Sequence, residues 1–368
     1  MDILKKFFGF TCSKRTSLSA NANQSSPSTQ IEELCYRFPL PLLQKLTGNF
    51  EKGRLTGVGA LCDVYKACIN IQGEFHEIAI KKWRSNSGQS LIFFKNEIQM
   101  LCQLRHPNLI RLIGFYEGES LQVIVLEYMP NGSLYDQLLS KNKEPLSWKI
   151  RLQICIGTAR GLHYLHAGAK RTIFHRDVQP VNILLDKDFV PKLANFFISL
   201  KGPHSMSKPA RPKNLDEVIG TFGFIAPEYN RDCIFTDKCD VYSFGMVLFV
   251  IVCALMPLSI FEKMGVVQDQ EANDIESDPF EVCQSIAKRV CKFLQEGKAY
   301  TIIDPFLIGK IAPRCWKTFL AIAESCLLED PSERPMMGEV EVELEHALAL
   351  QEEADATNPV GDYSLLSI

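Results

Sequence analysis

His175-Arg176-Asp177-Val178-Gln179-Pro180-Val181-Asn182-Ile183-Leu184-Leu185, followed ten residues later by Asn195-Phe196-Phe197, is the stretch on which the reading of this chain turns. It sets an aspartate and an asparagine five positions apart on a loop, just ahead of a short apolar run. That arrangement suits phosphoryl transfer, in which a carboxylate accepts a hydroxyl proton and a neighbouring side-chain oxygen holds a metal ion. Asp177 is the candidate base and Asn182 the candidate metal ligand.

The two pieces, in this order and at this separation, resemble the catalytic loop (H-R-D-x-x-x-x-N) and metal-binding triplet (D-F-G) of the eukaryotic protein kinase family. Working outward, Gly57-Val58-Gly59-Ala60-Leu61-Cys62-Asp63-Val64 occupies the position of the family's glycine-rich loop, where bare backbone amides close over ATP phosphates. Lys81, in Ala79-Ile80-Lys81, matches the phosphate-binding lysine, and Glu97 its ion-pair partner on the following helix. A lone Lys and Glu would otherwise read as solvated charges; here every flanking motif is in register. By the same resemblance Val64, Ala79 and Leu184 sandwich adenine, and Leu126, Glu127 and Met129 line the nucleotide site together with Gly57, Val58 and Gly59. Leu101, Leu112, His175 and Phe196 match the family's regulatory spine. Glu228 and Arg334 match its buried ion pair, and Asp240 the acid that holds the catalytic loop.

The departures cluster at the chemistry. Gln179 stands where serine/threonine members carry a lysine that steadies the transferring phosphoryl group, and a neutral amide cannot replace that charge. Asn195 stands where the family has the aspartate that binds magnesium, a hard cation that prefers charged carboxylate oxygen. Loss of one such preorganised group costs ~10²–10³ in rate. Phe197 replaces the triplet's glycine and Cys62 the third glycine of the loop. Both are expected to restrict the backbone, locking the triplet in one state and weakening ATP binding. Arg176 is the residue that in this family meets a phosphate on the activation segment, and Ser199, Ser205, Ser207 and Thr221, beside Lys208, Arg211 and Lys213, are the candidate acceptors.

At 368 residues, 46% hydrophobic and net charge −3, the chain can bury a large core, and its charge balance points to no nucleic-acid partner. Its 13 scattered cysteines, none in a Cys-x-x-Cys pair, read as free thiols in a reducing cytosol. Strand-like runs fall at 63–71, 77–83, 109–116 and 122–128, with a helix at 91–104, and helical periodicity follows at 133–139 and 148–167. The fold class expected is therefore α+β, a bilobal protein kinase fold with a small β-rich N-lobe (35–129, including a preceding helix at 42–50) and a large helical C-lobe (130–350). The apolar run 241–260 reads as a buried core helix rather than a membrane span. Residues 1–34 read as a flexible segment, 269–278 as an acidic loop insertion, and 351–368 as a disordered tail.

Tyr36-Arg37-Phe38-Pro39-Leu40, the run Ile154 to His166, and Asp240-Val241-Tyr242-Ser243-Phe244-Gly245 resemble plant receptor-like kinases, in particular Pto-like cytoplasmic kinases and malectin-type receptor kinase domains. With no ectodomain or spanning helix visible, the cytoplasmic form is the expectation, held weakly at the inner face of the plasma membrane through the basic-aromatic residues 1–15 with Cys12 open to acylation, or not held at all. Set against this resemblance, the departures at Asn195, Gln179, Phe197 and Cys62 lead to the expectation of a pseudokinase that binds ATP weakly, with magnesium in doubt. Its partners would be other proteins: an active kinase, an immune receptor or a pathogen effector. An active serine/threonine kinase and a membrane-associated adaptor are the alternatives.

Overall fold

The computed structural model describes residues 35–59, 61–71, 73–84, 88–140, 143–204, 213–263, 302–358 and 362–363. The N-terminal segment, the acidic insertion, and Ser205, Ser207, Lys208 and Arg211 lie outside the described residues. The chain divides into two compact units, Met1–Arg105 with Ile110–Met129, and His106–Leu109 with Pro130–Ile368.

The first unit is built on strands whose apolar residues alternate or run continuously, as a sheet with a buried face requires. Its elements are β1 (Tyr36–Arg37), α1 (Leu40–Thr47), β2 (Leu55–Val58), β3 (Cys62–Ile71), β4 (Glu74–Trp83), α2 (Gly88–Leu101), β5 (Leu112–Glu117) and β6 (Gln122–Glu127). The six strands form one sheet in the order β1-β5-β6-β4-β3-β2, antiparallel except for the β1–β5 pair. α1 stops where Gly48 takes the left-handed conformation (φ 61°), a turn that costs a residue without Cβ nothing. Its Leu43 joins Phe38, Ile78, Ile80, Ile113, Val123 and Val125 in the core. Gly114 is fixed by packing: a Cβ there would lie 2.2 Å from the Tyr36 carbonyl oxygen and 2.7 Å from the Phe38 ring.

The second unit is mostly helical. Its elements run α3 (Leu134–Leu139), α4 (Trp148–His163), β7 (Arg171–Phe174), β8 (Ile183–Leu185), β9 (Pro191–Leu193), β10 (Leu200–His204), β11 (Lys213–Asn214), α5 (Pro227–Asp232), β12 (Ile234–Phe235), α6 (Asp237–Cys253), α7 (Pro257–Lys263), α8 (Pro313–Cys326) and α9 (Met337–Thr357). Ser133 caps α3 in a reciprocal box with Asp136, and Ser147 caps α4. The apolar run around 241–260 is split into two helices, with Ala254 in the left-handed region (φ 49°) between them, and α6 is buried on all sides from Cys239 to Cys253. Among the described residues no helix is long and apolar enough to cross a membrane.

One boundary differs. The expected tail from 351 is the last two turns of α9: Gln351 is 1% exposed, its Oε1 accepts from the Ala312 amide (2.9 Å), and its Nε2 donates to Asp355 (2.8 Å). A polar side chain so buried stays only where its hydrogen bonds are made.

Gly114→Ala should force β1 away from β5 and cost about 1–3 kcal/mol, the usual range for overpacking. Chemical denaturation of the purified chain measures it.

Candidate active site

Strand register alone brings the first unit's candidate residues to one sheet face. Cα partners across the β3–β4 ladder are Cys62 with Trp83 and Val64 with Lys81; across β4–β6 they are Ala79 with Leu126 and Lys81 with Ile124. Directly paired residues share a face, so Cys62, Val64, Ala79, Lys81 and Leu126 point the same way. Lys81 is 4% exposed and Glu97, from α2, is fully buried; the ammonium donates to both carboxylate oxygens, at 2.8 and 2.7 Å. Burial opposes the charge on Lys81, but the Glu97 carboxylate outweighs it and holds the ammonium above its ordinary pKa. Glu127 is spoken for locally: its Oε1 accepts from the Arg111 amide (2.8 Å). Met129 is buried and Val58 exposed.

Cys62, at the third glycine's position, is accommodated in the strand. It opens β3 in ordinary strand geometry, and its carbonyl accepts from the Gly59 amide at 2.9 Å, so its side chain imposes no strain on the turn. Burial pushes its thiol up, against the pull of Lys81. A Cβ on Gly57 or Gly59 would meet protein atoms only at ordinary contact distance, 3.6 and 3.5 Å. The packing of the fold itself therefore does not demand these glycines.

The second unit gathers the remaining candidates around Asp177. Asp177 Oδ1 accepts from Thr221 Oγ1 (2.7 Å) and Gln179 Nε2 (3.0 Å); Oδ2 accepts from Asn182 Nδ2 (2.6 Å), which also donates to the Asp177 carbonyl (2.8 Å). Gln179 Nε2 also donates to Thr221 Oγ1. Asn195 Nδ2 in turn donates to Asn182 Oδ1. Asn195 sits in the left-handed region (φ 67°), which asparagine tolerates better than most residues. Phe197 lies outside that region, so this conformation does not need the glycine it replaces. Leu184 is half-buried on β8.

The loop's backbone is held by Asp240, which is fully buried: it accepts from the amides of His175 (2.8 Å) and Arg176 (2.9 Å) and pairs with His166 Nε2 (2.9 Å). His175 Nδ1 accepts the Asp177 amide (3.3 Å), so its Nε2–H donates to the Ala194 carbonyl (3.0 Å), and its ring packs edge-on to Phe196 with centroids 4.9 Å apart. Burial lowers the His175 pKa below the usual 6.5. Arg334 grips Glu228 with both nitrogens, at 2.6 and 2.8 Å.

Arg176 is committed within the fold. Its guanidinium donates to the Ile198 carbonyl (3.0 Å) and the Tyr229 hydroxyl (2.6 Å), and that hydroxyl also accepts the Ile219 amide (2.9 Å). Ser199 is 1% exposed and donates to the His175 carbonyl, and Thr221 is bound to Asp177, so neither stands open as a phosphate acceptor in this arrangement. Tyr229 was not singled out by sequence reasoning. Its only local signal is its place beside Ala226-Pro227-Glu228.

Two groups are implied by such residues. The first unit suits a nucleotide: a buried, paired ammonium on the sheet face it shares with Val64, Ala79 and Leu126. The donors of the second unit do not suit magnesium. Asp177 is the one carboxylate among Asp177, Asn182 and Asn195, and both its oxygens already accept hydrogen bonds; the other two are neutral amides bonded to each other. Among the described residues no group of three His, Cys, Asp or Glu could hold a metal ion.

The sequence model described as protein tyrosine and serine/threonine kinase matches residues 50–344, and the chain belongs to this family. It is 40% identical over 350 residues to the receptor-like protein kinase ANXUR1 of Arabidopsis thaliana, covering 94% of this chain and 38% of that protein. It is 39% identical to FERONIA of the same plant over 92% of this chain and 35% of that protein, and 37% identical to HERK 1 over 94% and 38%. The chain thus spans less than two fifths of these relatives' length.

Two outcomes test this geometry. Glu97→Ala leaves a buried ammonium without its counter-charge and should cost about 3–5 kcal/mol in chemical denaturation. His175 stays neutral when folded, whereas the unfolded chain binds a proton below about pH 6.5, so stability should fall as pH drops through that value, by up to ~1.4 kcal/mol per pH unit. His106, also lowered by burial, acts in the same sense, so a His175→Gln variant should show a shallower fall in melting temperature, not none.

Proposed function

We propose that this chain is a catalytically impaired kinase-like signalling protein of the plant receptor-like kinase type. It binds ATP weakly and acts through its folded surface, as a scaffold or decoy for an active kinase, an immune receptor or a pathogen effector. The observation that carries the reading is the amide of Asn195, hydrogen-bonded to Asn182 where a cation-binding carboxylate would be needed. Around it the packing charges are kept: Lys81 with Glu97, Glu228 with Arg334, and Asp240 under the catalytic loop. The residues that depart from the motifs lie at the chemistry, whereas the buried ion pairs that hold the fold are complete, which supports a folded protein acting through its surface.

A second reading, an active serine/threonine kinase, draws support from one feature. Asp177, Asn182 and Thr221 are assembled, and Gln179 bridges the aspartate and the threonine hydroxyl. Phosphotransfer from labelled ATP separates the two. The purified chain should be silent with magnesium and with manganese, and Asn195→Asp should recover a measurable fraction of activity. Labelling by the native chain that Asp177→Ala abolishes would establish the second reading instead.

A further inference from the structure

We infer that this chain binds ATP without a divalent cation, on charge supplied by Lys81. The inference rests on the nucleotide-binding reading above and gives that site its own rule: the nucleotide half of the machinery works without the metal half.

In an ordinary kinase the metal ions neutralise the phosphates, and removing them weakens the nucleotide's hold. Here the orientation of the two asparagines follows from their neighbours. Asn182 faces two acceptors of Asp177, the carbonyl oxygen and carboxylate Oδ2, so its NH₂ group must be the end turned toward them. Its Oδ1 then faces Asn195, which must donate. The oxygen that Asn182 would offer a cation is the one that accepts the Asn195 amide, and the oxygen Asp177 would offer carries the hydrogen bond from Asn182. A cation would have to break this chain of hydrogen bonds and would gain neutral oxygens in return. Magnesium gives up its own waters reluctantly and does so for charged ligands.

The first unit needs nothing from that network. Lys81 is buried, charged and fixed by two short hydrogen bonds to Glu97, so its position is set before any ligand arrives. Val64, Ala79 and Leu126 share its sheet face and provide the apolar surface for a base. A preorganised cation of this kind loses little on binding and serves as the phosphate's counter-charge.

Isothermal titration calorimetry of the full chain with ATP is the test, run in EDTA and again with excess magnesium or manganese. The dissociation constants should agree within about threefold. Lys81→Met should abolish binding, and circular dichroism of that variant checks that it folds. Asn195→Asp, which restores a carboxylate, should bind ATP about tenfold or more tighter with magnesium than in EDTA. Binding that appears only with a cation overturns the inference and leaves the nucleotide-binding reading standing. Absence of binding under every condition overturns both. Binding in EDTA that survives Lys81→Met also overturns it, because the charge then comes from elsewhere.

Discussion

A carboxylate with no exposure to water, Asp240, sets the conformation on which the second unit's chemistry depends. Its two oxygens take the amides of His175 and Arg176, and Arg176 can then hold a left-handed backbone (φ 71°) that a residue with a Cβ otherwise avoids. The site of that carboxylate is itself dictated by the chain: it lies in the first turn of α6, a helix so apolar that it is buried from Cys239 to Cys253, and its negative charge faces the positive end of the helix dipole. From there the sequence runs directly to Asp177, so the placement of the candidate base follows from a helix sixty residues away in the chain.

Charge has two uses in this molecule. Where charge holds the fold together it is paired and buried: Lys81 with Glu97, Glu228 with Arg334, Arg151 with Asp304. Breaking any of these strands an ion in low dielectric, at a cost of several kcal/mol. Where charge would serve only a cation, at Asn195, a neutral amide stands in. The asparagines satisfy each other and Asp177, so the substitution leaves no buried donor stranded and the fold loses little. The hydrogen bonds that hold the fold and the residues that would hold a cation are thus largely separate in this architecture.

Much of this was legible in the sequence because kinase motifs are local: a loop, a strand and a helix turn, each within ten or so residues. The Lys81–Glu97 pair, the Asp240 anchor and the Glu228–Arg334 pair follow from motifs alone. The contacts that complete the site did not, since Thr221 reaches Asp177 across 44 residues and Tyr229 reaches Arg176 across 53. Cys62 and Phe197 replace motif glycines, and neither position takes the left-handed backbone that only glycine adopts freely. The end of α9 was misread: Gln351-Glu352-Glu353-Ala354-Asp355 is polar enough to pass for a tail, and only the partners of Gln351 reveal that one face is buried.

The most direct measurement is an anomalous difference map from crystals of the chain soaked with ATP and manganese. No manganese peak is expected within coordinating distance, about 2.0–2.3 Å, of Asn182 or Asn195. A peak ligated by the side-chain oxygens of both would show that the amide pair opens to admit a cation. The separation of fold from cation chemistry argued above would then be wrong.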